Sequence, residues 1–119
     1  EVAGLFGLVY YGCCEAVHDR WDAIRAAIPH VRAASVSPWC DMTAIAARLD
    51  RQVVFSRKPR PAPISGDAPD WDALRSDATA TLDAARDCNL EIIFRDVYRI
   101  GSDRDRLRRW TNMVRELIG

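Results

Sequence analysis

Two cysteines and a glutamate follow an apolar run near the start of the chain, in the stretch LVYYGCCEAVHD (8–19). Cys13 and Glu15 are two residues apart, so on an extended backbone their side chains face the same side. Thiolates and a carboxylate that converge at the end of a strand could bind zinc and leave one coordination position for substrate. The spacing is not a CxxC pair, and most free cysteines are small buried apolar residues, so both interpretations stay open.

Lys58 is the only lysine among 17 basic residues, and all the others are arginines. A lysine in a chain that otherwise uses arginine indicates a need for the compact, titratable ammonium group of lysine instead of the planar guanidinium group of arginine. The alternative is chance in an arginine-rich composition.

The elements that position these residues follow from the hydrophobic pattern. Four apolar, partly β-branched segments predict strands, and amphipathic stripes with helical spacing follow each of them. The alternation predicts a parallel sheet with helices packed against it, an α/β fold. Four βα units form either a small open sheet or half of a (βα)8 TIM barrel, since a complete barrel takes about 250 residues. The predicted strands are 4–12, 30–38, 51–59 and 89–97, and the stripes are 17–28, 42–49, 71–85 and 107–117. The first strand has the nearly continuous apolar run of a strand buried on both faces.

Active sites of parallel α/β folds lie at the carboxyl ends of the strands. The four segments at those ends are YGCCE, SPWCD, SRKPRP and RDVYR, and they hold three of the four cysteines and the lysine. Because these residue types collect at the carboxyl ends of the strands, we predict that the functional site lies at that edge of the sheet. The candidate residues are, for catalysis, Glu15, Lys58 and Asp96; for substrate binding, Tyr11, Trp39 and Arg57; and for metal binding, Cys13, Cys14 and Cys40.

Composition narrows the functional classes. The 119 residues predict one domain, and the zero net charge favours neither nucleic acid nor an anionic membrane as partner. No apolar run reaches the length of a transmembrane helix, and no signal peptide is visible. Four cysteines in a chain that is not rich in loops indicate reduced thiols and a cytoplasmic location. The first residue is Glu1, directly before an apolar run, so we expect a piece of a longer protein.

Three segments together carry a family resemblance: YYGCCEAVHDRWDAIRAAIPHVRAASVSPWCD, SRKPRP and LEIIFRDV. They resemble the C-terminal half of proteins in the uroporphyrinogen decarboxylase superfamily, and most closely its methyltransferase-like members. The resemblance covers the whole chain and implies that residues 1–119 are a single C-terminal half-barrel domain. That superfamily contains cofactor-free decarboxylases and zinc-dependent methyltransferases that work with corrinoid proteins or thiols.

The resemblance also implies where zinc would bind. In the zinc methyltransferases, a His-x-Cys pair ends one strand and another cysteine ends a strand about three βα units later. On this sequence the pair falls on Tyr11 and Cys13, and the distant cysteine falls near Asp96, so only Cys13 matches. A rearranged zinc site would draw on Cys14, Glu15 or Cys40.

We therefore expect the half of a zinc-dependent, corrinoid- or thiol-linked methyltransferase acting on a small molecule. Zinc would serve as a Lewis acid or hold a thiol as thiolate, and Lys58 would orient an anionic group of the substrate. Glu15 or Asp96 would transfer protons or complete the metal shell. The alternative is a non-catalytic fragment with two open sheet edges, which self-associates or needs its missing half. A complete open-sheet binding domain is disfavoured because no glycine-rich phosphate loop follows the first strand.

Overall fold

In the computed structural model, which describes residues 2–12 and 14–119, four parallel strands form one sheet. The strands are β1 (Val9–Tyr11), β2 (Val31–Val36), β3 (Val54–Arg57) and β4 (Asn89–Ile92), and they lie side by side in chain order. The helices are α1 (Trp21–Ala27), α2 (Met42–Ala46), α3 (Ala62–Ser65), α4 (Trp71–Ala84) and α5 (Arg106–Ile118). A 3-10 turn, Val2–Leu5, precedes β1.

The α/β expectation is confirmed, and each observed strand lies inside its predicted segment. The first strand differs most from its prediction. Only Val9–Tyr11 pairs with β2, and Leu5, Phe6 and Leu8 are exposed. The prediction that residues 4–12 form a strand buried on both faces is therefore wrong. The glycines among these residues weaken strand propensity, and an edge strand has a neighbour on one side only. The short α3 was not predicted.

The two faces of the sheet differ in what covers them. Alternate strand residues, including Ala34, Phe55 and Ile92, pack against the helices in the hydrophobic core. The residues between them face the other way; Ser35 pairs in register with Ser56, and Ser56 with Glu91. Tyr10 and Ile93 remain largely exposed at the two edges of this second face. We call it the open face, defined by Tyr10, Ser35, Ser56, Lys58, Glu91 and Ile93.

The strand order explains why the helices share one face. Parallel strands are joined by right-handed crossovers, so four strands placed in consecutive order receive all their helices on the same side. This arrangement is a βα repeat. The helices meet the sheet in two hydrophobic clusters, one around Trp21, Ile45 and Phe55 and another around Ile64 and Met113. None of the helices in the described part of the chain is long and apolar enough to cross a membrane.

Two aspartates cap the N-termini of helices. Asp41 Oδ1 accepts the Ala44 N–H at 2.9 Å, and Asp70 Oδ1 accepts the Ala73 N–H at 2.9 Å. These bonds satisfy N–H groups that would otherwise lack partners in the first turns of α2 and α4.

A buried ion pair connects β3 to α4. Arg57, 3% exposed, donates to Asp77 Oδ1 at 2.7 Å, to the Ser37 carbonyl at 2.9 Å and to Thr81 Oγ1 at 3.3 Å. Three acceptors around one guanidinium offset much of the cost of removing its charge from water. Arg57 therefore joins the ends of β2 and β3 to the middle of α4.

A second buried guanidinium fixes the segment after α3. Arg106, at the start of α5, donates to the carbonyl oxygens of Ile64 at 2.9 Å, Gly66 at 2.5 Å and Asp67 at 3.1 Å. Ile64 lies in the last turn of α3, a helix of four residues, and Gly66 and Asp67 follow it, so these carbonyls lack partners within the helix. Arg106 thus ties the loop between α3 and α4 to α5.

Removing the carboxylate of Asp77 should destabilise the chain strongly, because Arg57 would be left buried without its counter-ion. We expect Asp77→Ala to lower the free energy of unfolding by about 2–4 kcal/mol in urea denaturation. Asp83→Ala on the same helix removes the exposed pair with Arg86 and should cost no more than about 0.5 kcal/mol. Equal losses in the two variants would contradict a structural role for Arg57.

Candidate functional site

A cavity of about 300 Å³ lies at the carboxyl ends of the strands. All four segments that the sequence places at the functional face contribute to its wall. The lining residues come from the segments after β1 (Cys14), β2 (Ser37, Pro38, Trp39), β3 (Lys58, Pro59, Arg60, Pro61, Ala62) and β4 (Arg95, Asp96). Of the predicted site residues, Cys14, Trp39, Lys58 and Asp96 are therefore brought together.

Trp39 and Arg60 form the outer wall of this cavity. The Arg60 guanidinium carbon lies 4.7 Å from the centre of the Trp39 ring, within the range of a cation–π contact. Trp39 is 65% exposed, which leaves much of its apolar surface uncovered. Ser37 holds this loop in place, since its Oγ donates to the Glu15 carbonyl at 3.0 Å and accepts the Trp39 N–H at 3.3 Å.

Lys58 is the deepest charged group of the cavity wall. Its backbone N–H donates to the Val36 carbonyl at 2.8 Å, which extends the β2–β3 pairing and fixes where its side chain points. The residue is 6% exposed, and its Nζ donates to Ser56 Oγ on the open face. Within residues 2–12 and 14–119, no carboxylate lies within 4.0 Å of this ammonium group. A buried ammonium without a counter-ion is costly, so it favours an anionic ligand.

Asp96 also lines the cavity and has a left-handed backbone conformation, with φ of +60°. Aspartate is one of the few residues that adopts this conformation at modest cost. Its carboxylate lies 3.4 Å from Arg95 Nε and accepts the Tyr98 hydroxyl at 3.4 Å. Among the described residues that line the cavity, Lys58, Arg60 and Arg95 carry positive charge and Asp96 carries negative charge.

Three candidate residues lie elsewhere. Arg57 points to the helix-covered face and is occupied by Asp77. Tyr11 packs against the hydrophobic core, because the strand alternation that turns Tyr10 to the open face turns Tyr11 away from it. Cys40 is buried in the same core, with its Sγ 3.5 Å from His18 Nδ1. These positions fit structural roles.

The predicted metal ligands are only partly brought together. Cys14 lines the cavity, and Glu15 pairs with Arg20 at 3.0 Å on the surface. Cys13 lies outside the described residues. Among the residues that the structure describes, no group of three or more His, Cys, Asp and Glu side chains is arranged to hold a metal ion. The described side chains alone therefore do not fit a zinc site.

Four residues of this region were missed by sequence reasoning: Tyr10, Ser56, Arg60 and Arg95. Ser56 precedes Lys58 by two positions in a strand, so the sequence already placed both side chains on one face. Tyr10 had no comparable signal, because the run LVYYG is apolar throughout and does not show which of its two tyrosines faces the core.

No known protein family, curated protein or solved structure matches this chain in the three comparisons made. What the chain does has therefore to be inferred from the chemistry of the cavity.

Thiol reactivity should distinguish Cys14 from the two other described cysteines. Cys14 is exposed, whereas Cys40 is buried and burial raises the pKa of the Cys88 thiol, so less thiolate forms there at a given pH. In a Cys13→Ser background at pH 8, we expect Ellman's reagent to modify one thiol rapidly and two only after unfolding. Cys14→Ser in the same background should abolish the rapid phase; a rapid phase that survives would contradict this placement.

Proposed function

We propose that this chain binds a small anionic substrate in the cavity at the strand ends, with Lys58 as the main counter-ion. The observation that carries the proposal is the buried Lys58 ammonium, which has no carboxylate partner among the described residues. Arg60 and Arg95 on the same wall add positive charge, and the Trp39 ring offers an apolar surface. Ligand sites of this kind combine a mostly apolar wall with a few polar groups that set orientation.

We propose that this site lies in half of a (βα)8 barrel, similar to the barrels of the uroporphyrinogen decarboxylase superfamily. Consecutive parallel strands with all helices on one face support it, as does a cavity at the carboxyl ends of the strands. The exposed Tyr10 and Ile93 on the open face, together with the edges at β1 and β4, would be covered by a second set of βα units. Those units would come from a longer chain or from a second copy.

A dicarboxylate is the simplest probe of the anion site. Succinate should raise the melting temperature of the wild-type chain in a saturable way, because a ligand that binds only the folded state stabilises it. Succinamide, which has the same carbon skeleton without the charges, should leave the melting temperature unchanged. The measurement is thermal unfolding at several ligand concentrations and constant ionic strength.

Two variants give this test its control. Lys58→Met keeps an unbranched side chain one atom shorter and without the charge, and should abolish stabilisation by succinate. Arg75→Met removes one positive charge from an exposed position of α4, outside the cavity wall, and should retain it. Stabilisation by succinamide as well, or an unchanged response in Lys58→Met, would refute the role of Lys58.

A zinc-dependent methyltransferase, working with a corrinoid protein or a thiol, is the more specific form of this proposal. It is favoured by the resemblance and by the position of Cys14 in the cavity wall, directly after Cys13 in the sequence. Because the described side chains do not form a metal site, zinc binding here depends on Cys13. No step is assigned to the metal.

The zinc content of the purified protein tests the proposal of a zinc-dependent methyltransferase. Protein purified without chelator should contain about one zinc per chain, and Cys13→Ser should lose most of it, as measured by atomic emission. Cys88→Ser is the matched control, since its thiol lies next to the Ala46 carbonyl and not in the cavity wall, and it should keep the metal. A folded wild-type chain without zinc would reject the zinc enzyme while leaving the anion site to its own test.

A further inference from the structure

Three side chains of the open face form a continuous hydrogen-bonded chain. The Tyr10 hydroxyl and Ser56 Oγ are 2.9 Å apart, and Lys58 Nζ donates to the same Ser56 Oγ. Lys58 Nζ also lies 5.3 Å from the centre of the Tyr10 ring. Tyr10 starts on β1 and reaches past β2 to β3, so the chain connects two non-adjacent strands.

The direction of these hydrogen bonds favours a negative charge on Tyr10. An ammonium group can only donate, so Lys58 occupies one lone pair of Ser56 Oγ and leaves the Ser56 hydroxyl proton free to point to Tyr10. A hydroxyl that donates to a phenol oxygen stabilises the phenolate more than the phenol. Burial raises the pKa of Tyr10, but Lys58, Ser56 and Ser35 together lower it by more, so that the net pKa lies below the ordinary tyrosine value.

Accessibility separates the roles of the three groups. Ser56 is fully buried and Lys58 is 6% exposed, whereas Tyr10 is 48% exposed. Ser56 therefore cannot approach a ligand as a nucleophile, although it has a basic neighbour, and serves to hold Lys58 and Tyr10 together. Lys58 contributes to the cavity wall, and its Nζ lies 5.3 Å from the centre of the Tyr10 ring, so the half-exposed Tyr10 is a direct neighbour of the wall although it does not line the cavity itself.

We propose that Tyr10 is the proton-transferring residue of this site, and that its substrate carries a weakly acidic C–H or S–H bond beside its anionic group. The Tyr10 phenolate takes the proton of that bond and becomes a phenol, while the electron pair stays on the substrate and its negative charge is balanced by Lys58. The reverse step returns the proton from the phenol oxygen. This inference rests on the proposed anion site, because Lys58 must hold the ligand within reach of Tyr10.

The first test is direct titration of Tyr10. The chain has three tyrosines, so protein labelled with 13C at the tyrosine Cζ gives three signals that single Tyr→Phe variants assign. Tyr10 should titrate at a lower pH than N-acetyltyrosinamide under the same conditions. Lys58→Met should raise its midpoint and Arg75→Met should not. A midpoint at or above the reference, or one that does not respond to Lys58→Met, overturns the proposal.

The second test measures proton transfer itself. 2-Oxoglutarate combines two carboxylates with C–H bonds beside a carbonyl group, so in D2O its exchange of hydrogen for deuterium at C3 reports proton abstraction by NMR. We expect the wild-type chain to accelerate this exchange at least about tenfold over buffer. Tyr10→Phe should exchange at the buffer rate while succinate still raises its melting temperature.

The outcomes distinguish the two proposals. Equal exchange in wild type and Tyr10→Phe, or no exchange above buffer in a chain that binds succinate, overturns the role of Tyr10 and leaves the anion site intact. Failure of succinate to stabilise the wild-type chain refutes the anion site and, with it, the substrate part of this proposal. The titration of Tyr10 then stands by itself as a test of the Tyr10–Ser56–Lys58 chain.

Discussion

The alternation of side chains along β3 is the constraint on which the site depends. Phe55 and Arg57 face the helices, so Ser56 and Lys58 must face the open side. A slip of one residue would expose the Arg57 guanidinium without Asp77 and bury Lys58 among apolar side chains. The two backbone bonds at the end of β3, from Lys58 N–H to Val36 and from Ile93 N–H to Arg57, hold the register on both sides.

Arg57 at the end of β3 and Lys58 directly after it are both buried cations, but their surroundings differ. The planar guanidinium group of Arg57 donates to three acceptors, and its charge is balanced by Asp77 within the protein. These bonds connect the sheet to α4. Among the described residues, Lys58 Nζ has the Ser56 hydroxyl as hydrogen-bond partner and the Tyr10 ring nearby, which leaves part of its hydrogen-bonding capacity for the proposed ligand. The structural role of Arg57 and the proposed binding role of Lys58 thus fall on adjacent residues that have different partners.

Hydrophobic patterning was enough to predict the four βα units and their parallel order, because the spacing of apolar residues is a local property of the sequence. The parallel order in turn predicts the edge of the sheet where the cavity lies. Cys14, Trp39, Lys58 and Asp96, which the sequence places at the carboxyl ends of the strands, line that cavity for the same reason. Tyr11 lies on the core side of β1, and the apolar run LVYYG does not show from the sequence which of its two tyrosines faces the core. Arg57 lies away from the cavity for another reason: its partner Asp77 is 20 residues away on α4, and only tertiary packing brings the two together.

The clamp of Arg106 on the carbonyls of Ile64, Gly66 and Asp67 has a consequence for the dynamics of the cavity. Pro59 to Ala62, which form one wall, lead directly into α3, the helix whose end this guanidinium holds. The wall and α5 therefore belong to one cooperative unit of local opening. The Ile64 amide, which donates to the Pro61 carbonyl of the wall, should exchange with the same free energy as the amides of α5. A ligand in the cavity would slow exchange in α5, although no residue of α5 contributes to the wall.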